Sequence, residues 1–155
     1  MKKITLLISL ISIISFGQND VDFESGGVGA SWTWVVDDNG TDPALEIVAN
    51  PNSSGINTSD SVAKFTATEE GQPWALTYTD NIGSFTFSEN NSIVKIKIRK
   101  DIPTPVGLKF EDTTQAYSPT IVEVANTQVN GDWEELTFNF SIAIGKTYNR
   151  MVIIP

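Results

Sequence analysis

Apolar and polar residues alternate along most of this chain with a period of two. In Ile93 to Lys100, the apolar Val94, Ile96 and Ile98 are separated by Lys95, Lys97 and Arg99, so one face of a strand enters a core and the other meets solvent. Val106, Leu108 and Phe110 repeat the rule against Gly107, Lys109 and Glu111, with Asp101-Ile102-Pro103-Thr104-Pro105 as the turn between the two runs. Asn39-Gly40 and Asn130-Gly131 are dipeptides that supply positive φ, and both read as hairpin turns. The second joins Ile121-Val122-Glu123-Val124 to Glu134-Glu135-Leu136-Thr137-Phe138. Further strands are expected at Val21 to Glu24, Trp32 to Val36, Leu45 to Ala49, Ser61 to Ala67, Trp74 to Thr79, Ser84 to Phe87 and Arg150 to Ile154. No window carries a convincing helical period. About eleven short strands close two packed sheets better than one open sheet, so the pattern predicts an all-β fold, a two-sheet antiparallel β-sandwich, from about residue 18 to residue 155.

Residues 1–17 stand outside that pattern. Lys2 and Lys3 precede the apolar run Ile4 to Phe16, and Ser15 and Gly17 place small residues three and one before Gln18, the form of a secretory signal peptide cleaved before Gln18. The apolar run of 13 residues is shorter than the roughly 20 needed to span a bilayer. The mature chain is therefore expected to be secreted, periplasmic or at the cell surface, with no membrane insertion after cleavage. At the other end Met151-Val152-Ile153-Ile154-Pro155 stops in or just after an apolar strand with no polar tail, which reads as a truncated C-terminus.

Composition narrows the chemistry. The 155 residues include no His and no Cys, which removes the Ser-His-Asp triad, the thiolate nucleophile and metal sites built from imidazole or sulfur. Any metal must be held by oxygen. The 19 acids against 10 Lys and Arg give a formal charge of −9, and loss of Lys2 and Lys3 takes the mature chain to −11. Such acidity opposes non-specific nucleic-acid binding, which rests on neutralising phosphates, and favours solubility and a bound cation. Glycoside hydrolysis needs only two facing carboxylates. Glu134-Glu135 and Glu111-Asp112 are strand neighbours that point to opposite faces, and Glu69-Glu70 falls in an expected turn before Gly71, where a solvated role suffices.

Asp20, Asp22 and Glu24 are spaced by two, which on a strand puts three carboxylates on one face. Two readings fit: a solvated edge strand, or a calcium site with Glu24 as ligand, since hard oxygen donors suit that ion. The aromatic residues point to another chemistry. Sugars stack their C–H faces on flat rings while polar neighbours read the hydroxyls. Trp32 and Trp34 share a face with Val36, and Trp74 shares one with Leu76 and Tyr78, so each set fits a core or a binding platform. Trp74 follows Glu69-Glu70-Gly71-Gln72-Pro73 at a loop-to-strand boundary and is the first choice for stacking, with a core-edge Trp as the alternative. Trp133 has the parity opposite to Leu136, Phe138 and Phe140; it either caps the core before its strand or lies on the outer face. Lys95, Lys97 and Arg99 form a basic row that fits an anionic glycan, or cross-strand ion pairs with Lys109 and Glu111 on the next strand.

Taken together, Val21-Asp22-Phe23-Glu24, Val48-Ala49-Asn50-Pro51, Ser54-Gly55-Ile56-Asn57-Thr58-Ser59 before Val62-Ala63-Lys64, and Gly131-Asp132-Trp133-Glu134-Glu135-Leu136-Thr137-Phe138 resemble the β-sandwich modules attached to secreted bacterial polysaccharide-degrading enzymes, above all family-16 laminarinase-type hydrolases. The resemblance implies a galactose-binding-like jelly roll that holds glycan and performs no chemistry. It also implies a calcium ligand at Glu24, with backbone oxygens near Thr58 as partners. The Glu-x-Asp-x-x-Glu of the family-16 catalytic strand does not occur, so a catalytic domain would lie outside this sequence.

The expectation is a secreted, non-catalytic carbohydrate-binding module that takes polysaccharide or oligosaccharide, β-glucan as the best guess. Trp74, Tyr78, Trp34 and Trp32 are its ligand-binding candidates, Glu24, Asp22 and Thr58 its metal candidates, and calcium its structural ion. A covalently linked catalytic or sorting domain is its expected partner. The alternatives are a structural or adhesive spacer whose rings are all core, and a small carboxylate-dependent glycan-active enzyme.

Overall fold

The structure, a computed structural model, describes residues 20–115, 121–127 and 129–155, without the side chains of 121–123 and 126. The expected signal segment, residues 1–17, lies outside the described residues. The chain is all β. Eleven strands occur among the described residues: β1 Val35–Asp37, β2 Glu46–Ala49, β3 Ser61–Lys64, β4 Leu76–Thr79, β5 Phe85–Thr86, β6 Ile93–Arg99, β7 Pro105–Glu111, β8 Ile121–Asn126, β9 Trp133–Asn139, β10 Thr147–Tyr148 and β11 Arg150–Ile154. A single 3-10 turn, Ser141–Ala143, is the only helical element among them, and no helix there is long and apolar enough to cross a membrane.

Every ladder is antiparallel. Five strands form one sheet in the order β1-β4-β11-β7-β8, and three two-stranded ladders join β6 to β9, β2 to β3 and β5 to β10. The period-two pattern explains the layering. Val106, Leu108 and Phe110 of β7 are buried against Leu136 and Phe138 of β9, with Val94, Ile96 and Ile98 of β6 and Met151 and Ile153 of β11 packed around them. The core is thus sandwiched between the five-stranded sheet and the β6–β9 ladder. Phe87 sits at its aromatic centre, with ring centroids 4.8 Å from Phe85, 5.0 Å from Phe140, 5.1 Å from Phe110 and 5.8 Å from Tyr148.

Three expected connections differ. β6 pairs with β9, and β7 pairs with β8 and β11, so Asp101-Ile102-Pro103-Thr104-Pro105 carries the chain between layers and closes no hairpin. Asn39-Gly40 and Asn130-Gly131 do turn through positive φ, at 70° for Gly40 and 75° for Gly131, yet each also leads from the five-stranded sheet to a strand of another ladder. A turn dipeptide specifies local reversal; the strand partner is chosen by burial, which adjacent residues cannot reveal. The expected cross-strand ion pairs shift accordingly. Lys95 bonds Glu135 of β9 at 2.7 Å, while Lys109 pairs with Glu111 of its own strand.

The first expected strand does not form. Phe23 adopts φ 58°, the amides of Asp22 and Phe23 both donate to Val28 O, and Gly27 N donates to Glu24 O, so residues 21–28 make a tight turn. Asp20, Asp22 and Glu24 therefore do not share a strand face. Thr147–Tyr148 supplies a further strand that the alternation does not announce, pairing with Thr86 and Phe85.

Candidate functional site

An open groove lies on the outer face of the five-stranded sheet. Register places Gly107, Ile154 and Val124 on this face, opposite in parity to the inward Val106, Leu108 and Ile153. These three floor a groove of about 400 Å³, within the size range of small-ligand sites, and Phe65, Ala67, Pro73 and Ala75 of the β3–β4 connection form its wall. Gly107 keeps the floor open. A Cβ there would stand 3.2 Å from Ile154 Cδ1 and 3.3 Å from Ile154 Cβ, so a larger residue would both crowd Ile154 and fill the groove.

The wall is held by Asn39. Its side chain is fully buried; Nδ2 donates to Thr66 O at 2.8 Å and Oδ1 accepts from Thr68 N at 3.0 Å. Gln72 N adds a bond to Asp38 O at 2.8 Å. Through these contacts the β1–β2 turn fixes a loop that has no ladder of its own.

Trp74 lies in this loop, between the groove-lining Pro73 and Ala75, and is 55% exposed. It is the most exposed of the four expected ligand-binding rings. Tyr78 lies on the outer sheet face but does not offer a bare ring: the Arg150 guanidinium sits 4.1 Å from its centroid. Trp32 and Trp34 are half-buried and grouped elsewhere, with centroids 6.2 Å apart and Trp34 5.8 Å from Phe23. They have the parity of Val36, which faces away from Tyr78 in the register of β1 with β4. The buried indole N–H of Trp34 has no acceptor among the described residues, so this ring serves as apolar surface and forgoes a bond. Trp133, the first residue of β9, is half-buried and donates from Nε1 to Asn52 O at 2.9 Å, capping that end of the sandwich. Of the ligand-binding set, the structure brings Trp74 and Tyr78 to one sheet and its preceding loop, and separates Trp32 and Trp34 from them.

Among the metal candidates, Glu24 Oε1 accepts from the amides of Asp60 at 2.6 Å and Ser61 at 3.3 Å. That carboxylate ties the N-terminal turn to the start of β3. Asp22 Oδ1 turns back to Glu24 N at 3.1 Å, and Thr58 is exposed in the loop before β3. Among the described residues no three acids gather closely enough to hold a metal ion. One Glu24 oxygen is thus already engaged with two amides, and an ion bound there would have to draw on the second.

A charged group that the sequence analysis does not single out lies at the far end of the same sheet face. Arg150 Nε and Nη2 donate to Asp80 Oδ1 and Oδ2 at 2.6 and 2.9 Å, and Arg150 Nη1 lies 3.6 Å from Glu111 Oε2. The hydrogen bond from Arg150, reinforced by its charge, holds the Asp80 carboxyl below its ordinary value of 3.8 against the opposing effect of burial. The only sequence signal was an arginine opening an otherwise apolar run. A folded-state pKa below the unfolded one means stability that is full above 3.8 and lost as the pH falls beneath it. On acidification below that point, Asp80→Asn is expected to lose less melting temperature than the wild type. Parallel melting curves across this range are the check; identical slopes would remove Asp80 from the acid response.

No protein-family model matches this chain, and no curated protein matches it.

Proposed function

We propose that this chain is a secreted or cell-surface, non-catalytic carbohydrate-binding module of the galactose-binding-like jelly-roll kind, taking polysaccharide of the β-glucan type, and linked to a catalytic or sorting domain. The observation that carries the reading is the open apolar groove on the outer sheet face, with the exposed Trp74 in the loop that walls it. Apolar lining suits the C–H faces of sugar rings, and a groove set on a sheet needs little ordering when ligand arrives. A structural calcium at Glu24 belongs to the same proposal.

The test is affinity electrophoresis of the chain through gels containing different polysaccharides, with and without calcium. Retention by at least one glycan without release of reducing ends supports the module. Trp74→Ala is expected to weaken that retention roughly tenfold, the loss of about 1.4 kcal/mol of ring contact, while leaving the melting temperature nearly unchanged because the ring is exposed. Unchanged retention in this variant would remove Trp74 from the site.

A structural spacer is the second reading, favoured by one observation: Trp34 contacts both Trp32 and Phe23 and Tyr78 is covered by Arg150, so three of the four expected rings are engaged within the fold. A folded chain retained by no glycan, with calcium or without it, would decide for the spacer.

A further inference from the structure

Beyond the groove, on the same face of the five-stranded sheet, four charged side chains and one ring meet. Arg150 opens β11 opposite Glu111, and Ile154 of the groove floor closes the strand on the same face. Four residues of strand place them about 13 Å apart. Val152, between them, is buried in register with Tyr78 and Lys109.

The geometry of the charged group is that of a fixed fork. Two parallel bonds join the guanidinium to Asp80, at 2.6 and 2.9 Å, and the Tyr78 ring lies 4.1 Å from the guanidinium carbon. Glu111 approaches the third nitrogen at 3.6 Å and is itself paired with Lys109. Stacking and bidentate pairing together remove the freedom that a surface arginine normally keeps. The Asp80 side chain is 57% exposed, so its carboxylate stays open to solvent, while those of Arg150, Glu111 and Lys109 are 25%, 21% and 24% exposed and are held in place by their mutual pairing.

The array suits a ligand rich in hydroxyls. The carboxylates of Asp80 and Glu111 accept from hydroxyl groups, and the guanidinium of Arg150 donates to them, so adjacent hydroxyls of a sugar ring can be read as a donor and acceptor pair. Charge then sets the class. Arg150 and Lys109 balance Asp80 and Glu111, leaving no net positive charge to receive an acidic sugar, whose carboxylate would stand against two acids.

We propose that Arg150 and Asp80 form the hydroxyl-reading end of the glycan site, and that this site takes a neutral polysaccharide with adjacent free hydroxyls. The proposal rests on the binding-module reading and reassigns Tyr78, which becomes a positioning residue for Arg150 where the sequence suggested a stacking platform.

The experiment is affinity electrophoresis of the full chain through gels of neutral β-glucan, xylan and galactomannan and of polygalacturonate, at low and high salt. Wild type, Asp80→Asn and Arg150→Lys are compared, each first shown to be folded by circular dichroism. The expected result is retention by a neutral glycan that salt does not change, weakened about tenfold in both variants, as for loss of one hydrogen bond to a charged group. If Arg150→Lys does not fold, the nearly isosteric Asp80→Asn decides alone. Retention of the wild type with no change in a folded variant overturns this proposal and leaves the module standing. Preferential, salt-sensitive retention by polygalacturonate also overturns it. A wild type retained by none of the gels overturns the module reading together with this inference.

Discussion

Replacing Phe87 by Ala is expected to destabilise the fold by about 4 kcal/mol, the middle of the range for a fully buried aromatic side chain. The reason is that the site cannot collapse. Phe87 is 1% exposed and touches four other rings, of which Phe85 and Phe110 meet it edge-on at 87° and 90° while Phe140 stacks at 16°. Its backbone is pinned as well: the amide donates to Lys146 O at 3.1 Å and the carbonyl accepts from Gly145 N at 2.9 Å. Rings held by three different strands cannot all move into the void. For a domain of this size the loss corresponds to roughly 12 °C in melting temperature. Phe87→Leu, which keeps much of the volume, should cost about 1.5 kcal/mol or less. Denaturant unfolding of the two variants measures the difference. A cost below about 2 kcal/mol for Ala would mean that the ring cluster repacks, and that the core is less tightly specified than its geometry indicates.

Period-two alternation made the layers legible. Val94, Ile96 and Ile98 point inward as their spacing requires, as do Val106, Leu108 and Phe110, and Leu136 and Phe138. Strand pairing was not legible, because the same alternation serves a hairpin and a crossing equally well. β6 and β7 are consecutive and match in length, yet they lie in different layers. The missing first strand has a similar cause. Val21 to Glu24 alternates as a strand should, but Gly26 and Gly29 adopt φ of 78° and 99°, and the turn they permit folds the segment onto Val28 before a ladder can form. β10 is two residues long, too short to show a period.

The candidate site was legible only where exposure follows from local chemistry. Trp74 follows Gly71 and Pro73 and is exposed, but the strand expected to open at Trp74 begins two residues later at Leu76, which leaves the ring in the loop. The groove itself depends on Gly107 meeting Ile154 across a register that no local pattern discloses. Arg150 and Asp80 are 70 residues apart and join only because β11 pairs with β4. Tyr78 has the parity of Trp74, but parity cannot tell a bare ring from one covered by a guanidinium.

Asn39→Ala should separate the site from the core. The sequence presents Asn39 as half of a turn dipeptide, whereas the structure buries it completely and uses both ends of its amide. Removing the amide leaves Thr66 O and Thr68 N without partners. Each lost partner costs about 1–3 kcal/mol when water cannot replace it. Thr66 is exposed and Thr68 half-buried, so water compensates in part, and a total near 3 kcal/mol is expected. Asn39 N to Asp42 Oδ1 at 2.8 Å still holds the turn, and Thr68 Oγ1 to Asn39 O at 2.6 Å and Gln72 N to Asp38 O at 2.8 Å still reach the loop, so the clamp is loosened and not abolished. Asn39→Asp is expected to be worse than Ala, since it sets a carboxylate oxygen against the Thr66 carbonyl in a buried site. Gly71 marks how closely the parts fit: a Cβ there would fall 2.7 Å from Asn39 Oδ1. Loosening this clamp releases the groove wall ahead of the core, so hydrogen exchange in Asn39→Ala should lose protection first in residues 66–72, while β6, β7 and β9 keep theirs. Glycan retention should fall in the same variant at temperatures where circular dichroism is still native, a loss that Phe87→Leu does not share. Uniform loss of protection across loop and core together would instead make Asn39 an ordinary part of the cooperative fold, and the groove wall a passive consequence of it.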